Sequence, residues 1–98
     1  MNRKPSVPQR GAGHRSRLRE KFLEGGLDRF TDEEVVEFLL TLGTPRGDLK
    51  LPAREAINRF GGLPGVLSAP LEGLTEVPGV GPKNALYLKF VHQVAGRY

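Results

Sequence analysis

The sequence predicts an all-α bundle with one core. Three observations lead there. Apolar residues recur at helical spacing in each of the longer segments, Thr31-Asp32-Glu33-Glu34 is a helix-start signal, and most of the 13 glycines and 8 prolines fall between the periodic segments. Ninety-eight residues suffice for one small domain and leave little room for a second.

Met1 to Gly13 mixes Pro, Gly and Ser with basic residues and reads as a flexible basic arm, so the domain proper is expected to run from residue 14 to 98. His14 to Glu24 is expected to be helical, with Leu18 and Phe22 one turn apart on its core side and Leu23 at the edge. Gly25-Gly26 ends it. At the next start, Thr31 can cap the helix, Glu34 can close a capping box, and Phe30 can staple against Val35. Val35, Val36, Phe38, Leu39, Leu40 and Leu42 then make a helix that is apolar on most sides and hence buried. The three carboxylates Asp32, Glu33 and Glu34 sit in the first turn, where the helix dipole stabilises them. Capping accounts for all three, and no metal site is expected of them.

Gly43 to Asp48 breaks this helix, and Ala53, Ala56, Ile57 and Phe60 mark the next, up to the stop at Gly61-Gly62. Asp48 is a candidate cap. Pro52 would then occupy the fourth helical position and lose a hydrogen bond, so the regular helix is expected to begin nearer Leu51. A brief turn through Leu63 to Ser68 leads to a further start, with Ser68 as N-cap and Pro70 in the first turn. In the last helix, drawn as a wheel, Lys89, His92, Gln93 and Gly96 share one narrow polar face, read as the solvent side. Leu86, Leu88, Phe90, Val91, Val94 and Ala95 occupy the rest, and this helix is expected at the centre of the core.

Net charge of +4 and a pI near 9.9 favour an anionic partner. The charge is uneven: residues 1–30 carry eight Lys/Arg against three acids. Arg15/Arg19 and Arg17/Lys21 are like-charge pairs one turn apart, a mild cost that an anion lying against the helix would offset. The plain alternative is a solvated basic face partly neutralised by Glu20 and Glu24. There is no cysteine, hence no disulfide scaffold and no cysteine-based metal site. No apolar run reaches the length of a membrane span, and no secretory signal opens the sequence. A cytoplasmic protein without cofactor is expected. His14 and His92 are isolated from each other in sequence and make no catalytic dyad, so no catalytic residue is assigned.

Val77-Pro78-Gly79-Val80-Gly81-Pro82-Lys83-Asn84-Ala85 is the most informative segment. Its two glycines allow a tight turn with left-handed backbone angles, and Pro82 suits the first turn of the helix that follows. Free N–H groups of Gly79, Gly81 and Lys83 at a helix N-terminus, with the Lys83 charge beside them, suit a phosphate. Read blandly, the segment is only a helix-helix turn. The pattern of apolar-x-Gly-apolar-Gly followed by a small residue at Ala85 resembles the helix-hairpin-helix motif, which binds nucleic-acid backbones without reading sequence. A helix-turn-helix pair occurs twice, at 32–42 with 51–60 and at 70–76 with 82–97. The duplication resembles the tandem helix-hairpin-helix domain (SAM and RuvA-domain-like), here with an extra N-terminal helix. The Gly43–Asp48 turn lacks the G-x-G core, so the first hairpin is degenerate, although Arg46 and Lys50 can still offer side chains and Asp48 would oppose them.

Gly13-His14-Arg15-Ser16-Arg17-Leu18-Arg19, Phe22 to Gly26, Glu37 to Leu40, Asp48, Arg59-Phe60-Gly61, Leu67 and the Val77–Ala85 hairpin together resemble the N-terminal domain of the bacterial RadC (UPF0758) family, over nearly all of residues 13–98. The family is named for DNA repair. The resemblance implies a non-enzymatic DNA-binding module in repair or recombination. Full-length members add a C-terminal JAB/MPN-type domain with a zinc-site motif of the His-x-His-Pro type. These 98 residues carry no such motif, so no metallopeptidase-like activity is carried over. The DNA-contacting set expected on this reading is Gly79, Val80, Gly81, Lys83 and Asn84, with Arg15, Arg17, Arg19, Lys21 and Arg46. The alternative is a helical module that docks a protein partner or a separate catalytic domain.

Overall fold

Capping and breaking residues set most helix ends. The computed structural model describes residues 12–44 and 47–98. Its helices are α1 (Ala12–Gly25), α2 (Asp32–Thr41), α3 (Lys50–Phe60), α4 (Leu63–Ser68), α5 (Leu71–Thr75) and α6 (Pro82–Arg97), with a 3-10 turn at Leu27–Arg29. The all-α expectation holds: no strand occurs among the described residues. Of the expected basic arm, Met1–Gly11 lies outside those residues, whereas Ala12 and Gly13 already belong to α1.

The capping box of α2 is complete. Glu34 N–H donates to Thr31 Oγ1 at 3.1 Å, and Thr31 N–H donates to Glu34 Oε1 at 2.9 Å. Lys21 Nζ donates to both Glu34 carboxylate oxygens, at 2.9 and 2.8 Å, and so ties α1 to the start of α2. The Lys21 hydrogen bonds, helped by those from Thr31, hold the Glu34 carboxyl below the usual glutamate range despite its partial burial.

At α3, Lys50 N–H donates to Asp48 Oδ1 at 3.0 Å, and the helix begins at Lys50, within one residue of the expected start at Leu51. Pro52 is therefore the third helical residue. An N–H there has no intrahelical partner, so the proline forfeits nothing. Gly61 closes α3 at φ 84°. The expected turn over 63–68 is a short helix, α4, whose Val66 is fully buried. Ser68 is accordingly the last residue of α4 and does not cap α5, which follows Pro70 with no side-chain cap.

The core gathers Val36 and Leu40 of α2, Leu49 before α3, Ala53 and Ala56 of α3, Val66 and Ala69, Leu74 of α5, Val77, Val80, and Ala85 and Leu88 of α6. Helix α1 adds the buried Leu18. Helix α2 buries less than its apolar content suggested: Val36, Glu37 and Leu40 are buried, while Leu42 is exposed. On its outer side Phe22, Phe30 and Phe38 form a row, with ring centroids 6.3 and 5.9 Å apart, and Phe22 stays half exposed. The buried acid Glu37 faces His14, whose Nε2 lies 2.7 Å from its Oε2.

The largest departure concerns α6. Its buried residues are Asn84, Ala85 and Leu88, with Lys89, Val91 and His92 half-buried beside them. Leu86, Phe90 and Val94 point outward, 54%, 64% and 52% exposed. Of the polar face expected in solvent, Lys89 and His92 thus flank the core while Gln93 and Gly96 stay exposed as expected, and part of the apolar face is turned away from the core. Two contacts explain the rotation. Asn84 is bonded into α2, and Lys89 Nζ donates to Leu67 O at 2.8 Å, which satisfies its charge while its methylene stem covers apolar surface. Beyond His92 every residue of the chain is exposed, so no core faces the last turn.

Candidate nucleic-acid interface

The α5–α6 turn hangs between two buried anchors, Val77 and Val80, and Val80 N–H donates to Val77 O at 3.0 Å. Pro78 and Gly79 between them are exposed. Gly79 has φ 90°, and a Cβ there would lie 2.5 Å from Pro52 Cγ, so both backbone angle and space demand glycine. Gly81 differs from expectation. Its φ of −95° and ψ of 178° are extended, and a Cβ would meet only Asn84 Oδ1 at an ordinary 3.6 Å. Only one of the two glycines is left-handed. Nor is the Gly81 N–H free, since it donates to Asn84 Oδ1 at 2.9 Å. The N–H groups of Gly79 and Lys83 take no partner among the described residues. Both residues are exposed, and Lys83 is the second residue of a 16-residue helix.

Asn84 was expected at the DNA and is instead structural in its side chain. It is 4% exposed, and besides accepting from Gly81 it donates through Nδ2 to Leu40 O at 2.6 Å and to Thr44 Oγ1. Its polar atoms are thus spent inside the protein, joining the α5–α6 turn to the end of α2. The Val80 side chain is likewise buried, which leaves only its backbone for any ligand.

The two helical hairpins, α2–α3 and α5–α6, pack reciprocally. A Cβ on Gly43, just past α2, would lie 2.7 Å from the backbone N of Asn84. Gly79, in the other turn, sits on Pro52 in the same manner. Asn84 and Pro52 are each the third residue of the second helix in their hairpin. Each loop glycine therefore rests on the first turn of the second helix in the opposite hairpin, and the start of α3 lies against the loop that leads into α6. Both helices carry an exposed lysine in the first turn, Lys50 and Lys83. Gly43 carried no sequence signal beyond a helix stop. Asn84 did carry one: at the third position after a capping glycine, its side chain can reach back to the cap N–H.

Among the basic residues of α1, Arg15 donates from Nη1 to Thr44 O at 2.6 Å and from Nη2 to Gly47 O at 3.0 Å. It fastens the α2–α3 loop to α1. Lys21 is occupied by Glu34. These two side chains are structural ties, although all four were expected among the DNA contacts. Arg17 and Arg19 are exposed, with Arg19 Nη2 donating to Ser16 Oγ at 3.3 Å. They precede and follow the buried Leu18 by one residue each, so they project from opposite flanks of α1. Arg46 lies outside the described residues.

Among the described residues no group of three or more His, Cys, Asp or Glu could hold a metal ion, and no helix is long and apolar enough to cross a membrane. Residues 12–86 match the family described as UPF0758 N-terminal. A UPF0758 protein of Fusobacterium nucleatum subsp. nucleatum is 39% identical over 82 residues, which cover 84% of this chain and 35% of that relative. A UPF0758 protein of Ruegeria pomeroyi is 43% identical over 84 residues, covering 86% and 38%. The matched region is thus little more than a third of the length of these relatives. No solved structure matches.

Proposed function

The chain belongs to the UPF0758 family through its N-terminal domain, and from that premise we propose that it binds duplex DNA through backbone phosphates, without reading base sequence. The observation that carries the reading is the pair of reciprocal loop contacts, Gly43 on the first turn of α6 and Gly79 on the first turn of α3, with an exposed first-turn lysine on each helix. The N-terminus of α6 presents a positive dipole end, and the N–H groups of Gly79 and Lys83, without a partner among the described residues, suit phosphate oxygens; at α3 the Lys50 N–H is taken by Asp48 and Pro52 has none, so that end offers the Lys50 side chain. Lys50 and Lys83 neutralise charge and release counterions. Phosphate contacts of this kind orient a protein on a duplex and carry no base information. Arg15 contributes indirectly, by holding the α2–α3 loop in place. Arg17 or Arg19 adds a further contact from the flank of α1.

With Arg15 and Lys21 engaged in the fold, two to three phosphates are neutralised. Log affinity then falls against log salt with a slope of roughly −2 to −3, and dissociation constants lie in the range of about 10⁻⁴ to 10⁻⁶ M at physiological salt. Fluorescence anisotropy with two duplexes of unrelated sequence, measured over a salt series, tests this. Lys50→Ala and Lys83→Ala should each flatten the slope by about one, equally on both duplexes, with unchanged thermal unfolding. A slope indifferent to both substitutions refutes the proposal.

A further inference from the structure

The outer face of α6 carries an apolar row. Leu86, Phe90 and Val94 are spaced four residues apart and form one exposed row, with Tyr87 and Tyr98 at its side. The wheel places Lys83 at the head of this row and Arg97 at its foot, about 20 Å apart along the helix. No acidic residue occurs anywhere in α6. Exposing three large apolar side chains while half-burying Lys89 and His92 is costly unless the row is covered by something else.

Two observations identify what covers it. The first is where the chain leads: α6 ends at Arg97, one residue before the C-terminal Tyr98, and the matched family region is the N-terminal part of proteins more than twice as long. Residues that follow Tyr98 in a longer chain would continue from the foot of the row, and that covalent link gives whatever folds from them a high effective concentration, so a modest apolar contact suffices. The second is charge. A second copy laid antiparallel on the row would set Lys83 against the partner's Arg97, and a parallel copy would set like residues together; both are repulsive. The row is bracketed for an acidic occupant.

We infer that the Leu86–Phe90–Val94 face of α6 is the seat of the domain that follows in the longer UPF0758 proteins, through an apolar patch flanked by carboxylates. Phe90 is its anchor, as the largest exposed side chain at the middle of the row. The inference shares Lys83 with the proposed phosphate site but not Phe90, so Phe90→Ser tests it separately from phosphate binding.

The test titrates the isotope-labelled 98-residue chain with the C-terminal part of the Fusobacterium relative, once that part shows a cooperative thermal transition of its own. A covalent chimera of this chain with the same part is the second arm, and it serves if the separate part does not fold. Amide shifts are expected at Leu86, Tyr87, Phe90, Val94 and Tyr98. Phe90→Ser should weaken binding in trans roughly tenfold and abolish the shifts in the chimera, with the melting temperature of the free chain unchanged. Added salt should weaken binding further. A folded C-terminal part that leaves this face unshifted in both arms overturns the inference. So does sedimentation showing a dimer of the 98-residue chain that Phe90→Ser dissociates, since that gives the face to a second copy.

Discussion

Replacing Asn84 by alanine is the sharpest test of how the two hairpins are joined. The side chain makes three hydrogen bonds: it accepts from Gly81 N–H and donates to Leu40 O and Thr44 Oγ1. The partners lie 44 and 40 residues away in sequence, in α2 and just past it, and on the turn just before α6. Each bond is worth about 0.5–1.5 kcal/mol, and the buried Leu40 carbonyl would be left without this donor. The expected loss is about 2–4 kcal/mol from a total stability of about 5–15 kcal/mol. For a domain of this length that corresponds to a fall in Tm of roughly 10–25 °C. Urea unfolding followed by helical circular dichroism measures it. Lys83→Ala, one residue earlier and exposed, is the control and should cost less than about 0.5 kcal/mol. Thr44→Val isolates one of the three bonds, and its coupling to Asn84→Ala should be about 1 kcal/mol. An Asn84→Ala protein as stable as the Lys83→Ala control would show that the side chain does not hold the hairpins together.

Other perturbations follow from the same geometry. Gly43→Ala should destabilise by about 1–3 kcal/mol in urea melts, because its Cβ would press on Asn84 and Lys83 backbone, which cannot rotate away. Gly79→Ala should cost more than about 1–2 kcal/mol, through its φ of 90° and the close Pro52 ring, whereas Gly81→Ala should stay within about 0.5 kcal/mol; equal losses at the two glycines would contradict the assigned backbone angles. The Glu34 carboxyl is held below its ordinary value, so its contribution to stability is full above about pH 4.3 and is lost as pH falls through the lowered folded value. Lys21→Met should lower stability near neutrality by about 0.5–1 kcal/mol and flatten that acid limb in melts taken between about pH 6 and pH 3; an acid limb identical to wild type would place the acid sensitivity elsewhere.

The sequence by itself determined the all-α class, the capping box at Thr31–Glu34, the stop at Gly61 and the existence of the Val77–Ala85 turn. The class follows from apolar spacing over whole segments, and the other three are local, since a cap, a left-handed glycine and a proline in a first turn act on their nearest backbone neighbours. The family resemblance was legible because its short motifs occur in combination over nearly all of residues 13–98. Tertiary structure decided which way those local elements face. Periodicity showed that α6 has polar and apolar sides, but the tie from Asn84 to Leu40 O, across 44 positions, and the bond from Lys89 to Leu67 O turned the helix so that the apolar row lies outside. Four basic residues on α1 looked equivalent in one dimension. Only the arrival of Thr44 and Gly47 beside Arg15, and of Glu34 beside Lys21, separated structural ties from free cations. Gly43 looked like an ordinary helix stop until the opposite hairpin packed onto it. A side chain's role depends on which donor or acceptor reaches it across the fold, and helical periodicity carries no record of that partner.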